Sequence, residues 1–363
     1  MLEKHQDLLD MLLEIIRTRY ADDISIMIIY GSCVNGSYNE KSDLDMFFIP
    51  KTKRGRNLSK TFILDGIGYD LWGADWGTLE RFANYDDMKV SVIAGSQLVY
   101  CASEPDRQRY ETLKQKAKSV ESGTLTRDLY GKAEEHLAKA AVLYAAFCKK
   151  QDLAEVGGIL VGVCNTVCLL NHTYLHFGSK QTARELAALD KLPVDFISAY
   201  TAVVEDIADA KQNCALLIET TGQFLQCMNS ELPAARKHPL RKIAGRVSQS
   251  IKKKAAPSTP DLFGLYEEIS SHWNKIRLSC AKEDALYAFL SAASLQHTLN
   301  DVQKGLGISV PPLCFIDKFD AHNLQKFVLE ANKAEDAFLE LLRGRGISIA
   351  YYDKLDQLRA LFA

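Results

Sequence analysis

This 363-residue chain has no long apolar run. The longest, such as Ile26–Tyr30 and Gly158–Val163, fall far short of the ~20 residues a membrane-spanning helix needs. The opening Met1-Leu2-Glu3-Lys4-His5 is polar and leads into an amphipathic pattern, so no signal peptide is expected. Neither charge is in excess: 44 Lys plus Arg face 46 Asp plus Glu, a net charge of -2. Proteins dedicated to nucleic acid usually carry a basic surplus, because phosphate contacts supply their affinity. Nucleic acid is therefore demoted as a partner, although charge segregated along the chain keeps it open. The nine cysteines form no CxxC pair and are odd in number, which fits a reduced, cytoplasmic protein. No repeat at a fixed period and no low-complexity tract is visible. What is there is ordinary globular material, 47% hydrophobic and 25% charged, long enough for about two or three domains.

Residues 2–20 place Leu8, Leu9, Leu12, Leu13 and Ile16 at helical spacing, so an amphipathic helix opens the chain. Strands are expected at Ile24–Tyr30, at Asp43–Ile49 ending in Pro50, at Thr61–Leu64, at Ile67–Trp72 and at Gln97–Ala102. Asp65-Gly66 suits the hairpin turn between the third and fourth, since both residues tolerate positive φ. A helix is expected over Asp106–Val120. Beyond Glu121 strands give way to long helical patterns at Thr126–Lys150, Leu153–Phe177, Gln181–Leu189 and Val194–Met228. The fold class is thus α+β: a small mixed-sheet domain over 1–120, a helical substrate or acceptor domain over 121–232, and an additional C-terminal helical region with a basic linker over 233–363.

The informative segment is Ile28-Ile29-Tyr30-Gly31-Ser32, then Asp43-Leu44-Asp45-Met46-Phe47-Phe48. An apolar strand ending in Gly-Ser lets backbone N–H groups approach an anion closely, because glycine has no Cβ in the way. On the next strand Asp43 and Asp45 are two residues apart, so both carboxylates share one face while Leu44 and Met46 enter the core. Two such carboxylates repel unless something neutralises them, and a divalent cation is the usual solution. A phosphate cradle beside a carboxylate pair can hold a metal–triphosphate and activate its α-phosphorus. A third carboxylate on a neighbouring strand would complete a two-metal site. Asp70, on the outgoing strand of the hairpin, is the best candidate, because Asp65 suits the turn and Asp75 falls past the strand.

Gly-Ser, a spacer of ten and then Asp-hydrophobic-Asp-hydrophobic resembles the signature of the DNA polymerase β-like nucleotidyltransferase superfamily. Within it the chain is most similar to the kanamycin (aminoglycoside) nucleotidyltransferase type. The first helix leading into Tyr30-Gly31-Ser32, the hairpin with Asp70, the strand near Gln97–Ala102 and the segment Tyr110–Glu121 carry this likeness, which covers about residues 1–230. It implies a mixed sheet flanked by helices, two Mg²⁺ ions held by Asp43, Asp45 and Asp70, and a nucleotide-binding set of Gly31, Ser32, Lys41 and Ser42. It also implies a catalytic base where Ala133-Glu134-Glu135-His136-Leu137 stands, Glu135 preferred over Glu134. The alternative is that both glutamates lie on a solvated helix face beside Lys132 and Lys139. Ala138 and Lys139 depart from the acidic and aromatic residues expected there.

Two further features concern metal and nucleic acid. Cys164, Cys168, His172 and His176 recur every four residues on one expected helix, but each step rotates by ~40°, so only neighbours could converge on an ion; core packing is the better reading. Between Leu232 and Pro260 stand Arg236, Lys237, Arg241, Lys242, Arg246, Lys252, Lys253 and Lys254 without an acid or an aromatic residue, which suits a solvated linker better than a stacking platform. Lys51, Lys53, Arg54, Arg56 and Lys60 form a basic loop, read as solvated with a triphosphate contact as the lesser alternative. The expected activity is transfer of an NMP group from an Mg-NTP, ATP foremost, to a hydroxyl of a small molecule of the aminoglycoside-like class, with a homodimer possible. The alternatives are transfer to RNA or a protein side chain, and a non-catalytic nucleotide sensor.

Overall fold

The computed structural model describes residues 1–87, 89–230, 232, 244–245, 248 and 261–362. The basic run from Arg236 to Lys254 lies outside the described residues. The chain divides into two compact units, Met1–Ser122 with Leu262–Asn274 and Leu342–Ala363, and Gly123–Asp261 with Lys275–Leu341. Of the stretch 233–363, residues 262–274 and 342–363 thus belong with the sheet and 275–341 with the helical unit.

The first unit opens with α1 (Glu3–Arg19), which buries Leu8, Leu9, Leu12 and Ile16 and places Arg17 and Arg19 in its last turn, where the helix dipole favours cations. Then come β1 (Ile24–Tyr30), α2 (Ser32–Asn35), β2 (Asp45–Pro50), β3 (Lys60–Leu64), β4 (Ile67–Gly73), α3 (Trp76–Ala83), α4 (Val90–Ala94), β5 (Gln97–Cys101) and α5 (Glu104–Ser119). A short β6 (Tyr351–Tyr352) completes a six-stranded sheet of order β5-β1-β2-β4-β3-β6. Strand β1 pairs antiparallel with β2 and β5, and β3 with β4, whereas β2–β4 and β3–β6 are parallel, so the sheet is mixed. The Asp65-Gly66 turn has φ of 52° and 69°, the positive values that hairpin requires.

Alternation along the strands separates two faces. Ile29, Met46, Phe48, Tyr69 and Leu71 join α1 in one hydrophobic core. On the opposite face Phe47 packs on Trp72, ring centroids 4.4 Å apart. The C-terminal residues seal the α1 side: Leu358 and Phe362 are buried, Phe362 meets Phe62 edge-on, and the Arg19 guanidinium donates to the Phe362 carbonyl at 3.0 Å.

The second unit is helical: α6 (Arg127–Lys150), α7 (Ala154–Leu170), α8 (Thr182–Ala187), α9 (Phe196–Glu205) and α10 (Ala210–Asn229). Helix α11 (Leu265–Ala281) begins in the sheet unit and ends in this one, followed by α12 (Ala285–Leu306) and α13 (Leu324–Arg343). The last short helix, α14 (Leu355–Arg359), belongs to the sheet unit. Helix α7 is apolar nearly all round and buried to match. Its glycines allow close approach: a Cβ on Gly157 would lie 2.4 Å from that of Ala293, and one on Gly162 3.0 Å from the His136 carbonyl.

Several expected boundaries shift. Strand β2 starts at Asp45, so Asp43 precedes the ladder rather than lying in it. Helix α7 stops at Leu170 because Asn171 caps it, its side chain donating to the carbonyls of Val167 and Lys191, and His172 then turns with φ 44°. His172 and His176 are therefore off the helix that carries Cys164 and Cys168. The expected helix Val194–Met228 breaks between Glu205 and Ala210. No described helix is long and apolar enough to cross a membrane.

Candidate functional site

Asp45 opens β2 opposite Tyr30, the last residue of β1. In the parallel β2–β4 pair Met46 sits opposite Leu71, which carries Asp45 to the position beside Asp70. With a period of two, Tyr30, Asp45, Phe47, Asp70 and Trp72 all fall on the sheet face away from α1. The indole of Trp72 donates to the Tyr30 hydroxyl at 3.0 Å, bracing the floor beneath the two acids. Burial, with Asp45, Asp70 and Asp43 nearby, pushes the Tyr30 phenol far above its ordinary range, so it stays protonated.

Gly31 turns the chain out of β1 with φ 70° and ψ -148°, a backbone that L side chains rarely adopt. A Cβ there would lie 1.9 Å from Oδ2 of Asp45, so two constraints demand glycine at once. The next residue, Ser32, begins α2; it is 4% exposed and its hydroxyl oxygen has no hydrogen-bond partner. Buried hydroxyls are normally satisfied, so this one is suited to an external acceptor such as a phosphate oxygen.

Of these acids, Asp70 is pushed up to about 6, first by burial, then by Glu268 and Asp43, with Lys89 pulling the other way. Glu268 gave no sequence signal, because it stands on α11 almost two hundred residues beyond Asp70. Two glycines bring it there. A Cβ on Gly68 would lie 1.9 Å from the Ser270 hydroxyl and 2.5 Å from the Glu267 carbonyl, and one on Gly264 2.5 Å from the Thr61 hydroxyl. The start of α11 can thus rest on the β3–β4 hairpin only because both residues lack a side chain. Thr61, the register partner of Asp70, donates to the Gly264 carbonyl at 3.2 Å.

The structure brings Gly31, Ser32, Asp43, Asp45 and Asp70 together and assigns the other expected residues elsewhere. Lys41 is exposed at a turn, its N–H donating to Asn39 Oδ1 at 2.8 Å. Ser42 is buried and engaged: its hydroxyl accepts from the Asn39 N–H at 2.9 Å, and its carbonyl accepts from His5. Asp65 forms the hairpin turn and Asp75 caps α3 by accepting from the Thr78 N–H. Arg54 of the basic loop pairs with Asp23 and lies over the Tyr20 ring at 4.8 Å. Glu134 and Glu135 belong to the helical unit; Glu134 is 9% exposed, whereas Glu135 faces solvent.

The donor set at the sheet, three carboxylates and an unsatisfied hydroxyl, has the hard oxygen chemistry that Mg²⁺ takes. Among the described residues, however, no three His, Cys, Asp or Glu side chains are gathered closely enough to hold a metal ion. The residues suit such an ion in kind.

No protein-family model matches the chain, and no curated protein does. Among solved structures it is similar to a nucleotidyltransferase-like protein from Exiguobacterium sibiricum 255-15, at 11% identity and a TM-score of 0.37, over 74% of this chain and 91% of that one. At that distance the functional reading rests on this chain's own residues.

Proposed function

We propose that the sheet unit transfers a nucleotidyl group from a Mg-bound nucleoside triphosphate, ATP foremost, to a hydroxyl of a small molecule. The observation that carries this is the register: Asp45 beside Asp70 on parallel strands, with Asp45 also against Gly31 and the unsatisfied Ser32 hydroxyl one residue on. A turn with no side chain in the way, beside carboxylates of which Asp70 is raised by burial and by Glu268 and Asp43, suits a triphosphate and its counter-ions better than any neutral ligand. Asp45 and Asp70, with Asp43, would hold Mg²⁺, which when bound offsets the triphosphate charge and polarises the α-phosphorus. Ser32 donates its hydroxyl hydrogen to a phosphate oxygen, and the Gly31 turn keeps that approach open. Trp72 and Tyr30 keep the two acid-bearing strand ends in register from below. An acidic side chain takes the acceptor's proton, and the sequence resemblance offers Glu135 or Glu134 for that role. The aminoglycoside-like class is the proposed acceptor, since polycations suit an acid-rich site.

The test is incubation with radiolabelled ATP, Mg²⁺ and a panel of hydroxyl acceptors, comparing wild type with Asp45→Ala. Wild type should label at least one acceptor, and the variant should be slower by at least about 10³-fold, the scale of lost metal-centred charge stabilisation. Equal labelling by both proteins sinks the role of Asp45.

A further inference from the structure

The segments that carry Ser32, Asp43 and Asp70 meet at one side chain outside the site. His5, on α1, is fully buried. Its Nε2 lies 3.0 Å from the Ser42 carbonyl, and its Nδ1 lies 3.2 Å from the Cys33 thiol. That thiol also lies 3.4 Å from the Asp43 carbonyl. The imidazole meets Tyr69, the neighbour of Asp70, edge-on with centroids 6.1 Å apart. Cys33 follows Ser32 directly, and Ser42 precedes Asp43.

We propose that His5 is a positioning residue for the nucleotidyl-transfer site, holding the Gly31-Ser32 turn and the Asp43–Asp45 segment at a fixed separation from the first helix. The reasoning is geometric and rests on the function proposed above. A carbonyl only accepts, so Nε2 carries the hydrogen and donates to Ser42. Nδ1 is then an acceptor, and the donor it faces is the Cys33 S–H, which it shares with the more distant Asp43 carbonyl. This neutral tautomer serves both contacts; a cationic ring would turn a second N–H toward a protonated thiol, a poor acceptor. Burial agrees with the neutral form, lowering the His5 pKa and raising that of the thiol to about 11. The loop between Asn35 and Asp43 forms no strand or helix of its own, and apart from His5 the α1 side chain that reaches it, Lys4, does so at its exposed tip, donating to the Glu40 carbonyl at 2.8 Å. Its internal contacts, Ser37 to Asn35 Oδ1 and Asn39 to Ser42, are local and cannot set how far the carboxylates stand from the turn. The His5 bridge can, because its two nitrogens span from one side of the loop to the other.

A residue that only filled core volume would respond differently from one that sets a separation. The assay is amide hydrogen exchange of the metal-free protein, read alongside nucleotidyl transfer, for wild type, His5→Ala, His5→Gln and Cys33→Ala. His5→Ala should speed exchange of peptides covering 32–45 by about tenfold, roughly the worth of one buried hydrogen bond, while β3 and α6 stay as protected as in wild type. In the same variant kcat should fall by about 10²-fold with the nucleotide KM little changed, as for a site displaced by about an ångström. Glutamine at position 5 places its amide nitrogen near the former Nε2 and should recover most of both effects. Cys33→Ala should give a smaller loosening of the same peptides. Unchanged exchange over 32–45, or equal impairment by alanine and glutamine, overturns the proposal. If His5→Ala does not fold, the glutamine and Cys33 variants decide by the same criteria. If wild type transfers nothing to any acceptor, the function fails separately and the exchange pattern alone decides the positioning role.

Discussion

Asp70 makes the folded protein sensitive to pH in a direction opposite to that of an ordinary ion-paired carboxylate. Its carboxyl rises from 3.8 to about 6 on folding, through burial and the nearby charges of Glu268 and Asp43. A group that holds its proton more tightly when folded does not weaken the fold at acid pH, below 3.8, where both states are neutral. As pH rises from 3.8 through about 6, the folded state must ionise it against its surroundings and stability is lost, by about 3 kcal/mol at pH 7. Asp70→Asn cannot ionise. The stability difference, variant minus wild type, should therefore grow by about 2.5 kcal/mol between pH 4 and pH 7.5 in the presence of a chelator, whatever constant offset the amide introduces. Urea unfolding followed by tryptophan fluorescence measures it cleanly, because Trp72, Trp76 and Trp273 all lie in the sheet unit. Glu268→Gln should give a gain of the same sign but under about 1 kcal/mol, since the Glu268 side chain is exposed and screened. Magnesium at about a hundredfold over its Kd should add about 2.7 kcal/mol to wild type and less to Asp70→Asn. A pH-independent difference, or one that shrinks as pH rises, refutes the placement of Asp70 among like charges.

The remaining predictions are simpler. Gly31→Ala introduces a methyl carbon 1.9 Å from Asp45 Oδ2 at a φ of 70°. It should lower stability by about 1–3 kcal/mol and abolish transfer, as thermal unfolding and the labelling assay would report. Gly68→Ala forces α11 away from the hairpin, since the Glu267 backbone oxygen stands 2.5 Å from the new carbon. It should cost about 1–3 kcal/mol in urea unfolding, and a carboxyl-carbon NMR titration should find Asp70 below its wild-type pKa. Of Glu134→Gln and Glu135→Gln, one should cut kcat by about 10²–10⁴-fold at unchanged nucleotide KM, and wild-type turnover by both removes the glutamates from the mechanism.

The strands of the first hundred residues were legible because each is a short β-rich run bounded by Gly, Pro or Asp-Gly, and β1 agrees with its expected span, Ile24–Tyr30. The spacing from Gly31-Ser32 to Asp45 was legible for the same local reason. Asp43 was harder: alternation put it on the strand, but the ladder begins only where a partner exists, and β1 ends at Tyr30 opposite Asp45. Glu268 and Lys89 beside Asp70, His5 behind the loop, and β6 beside β3 were not legible at all. Each depends on segments far apart in sequence meeting in space, which no periodicity or turn signal encodes. Gly68 and Gly264 were in plain view, but a glycine announces close approach without naming the partner.

The seating of Phe362 and Leu358 against α1, and of β6 against β3, bears on how the chain is made. Residues 1–122 leave the ribosome first, yet their apolar wall stays open until residues 342–363 emerge. At about 5–20 residues per second, that interval lasts tens of seconds. During it, the edge of β3 and the ring of Phe62 lack their final cover, a template for wrong pairing. The helical unit, by contrast, can gather its first five helices early. Nascent chains halted near residue 340 should therefore show a protease-resistant helical unit and a sheet unit still open to cleavage and chaperone capture.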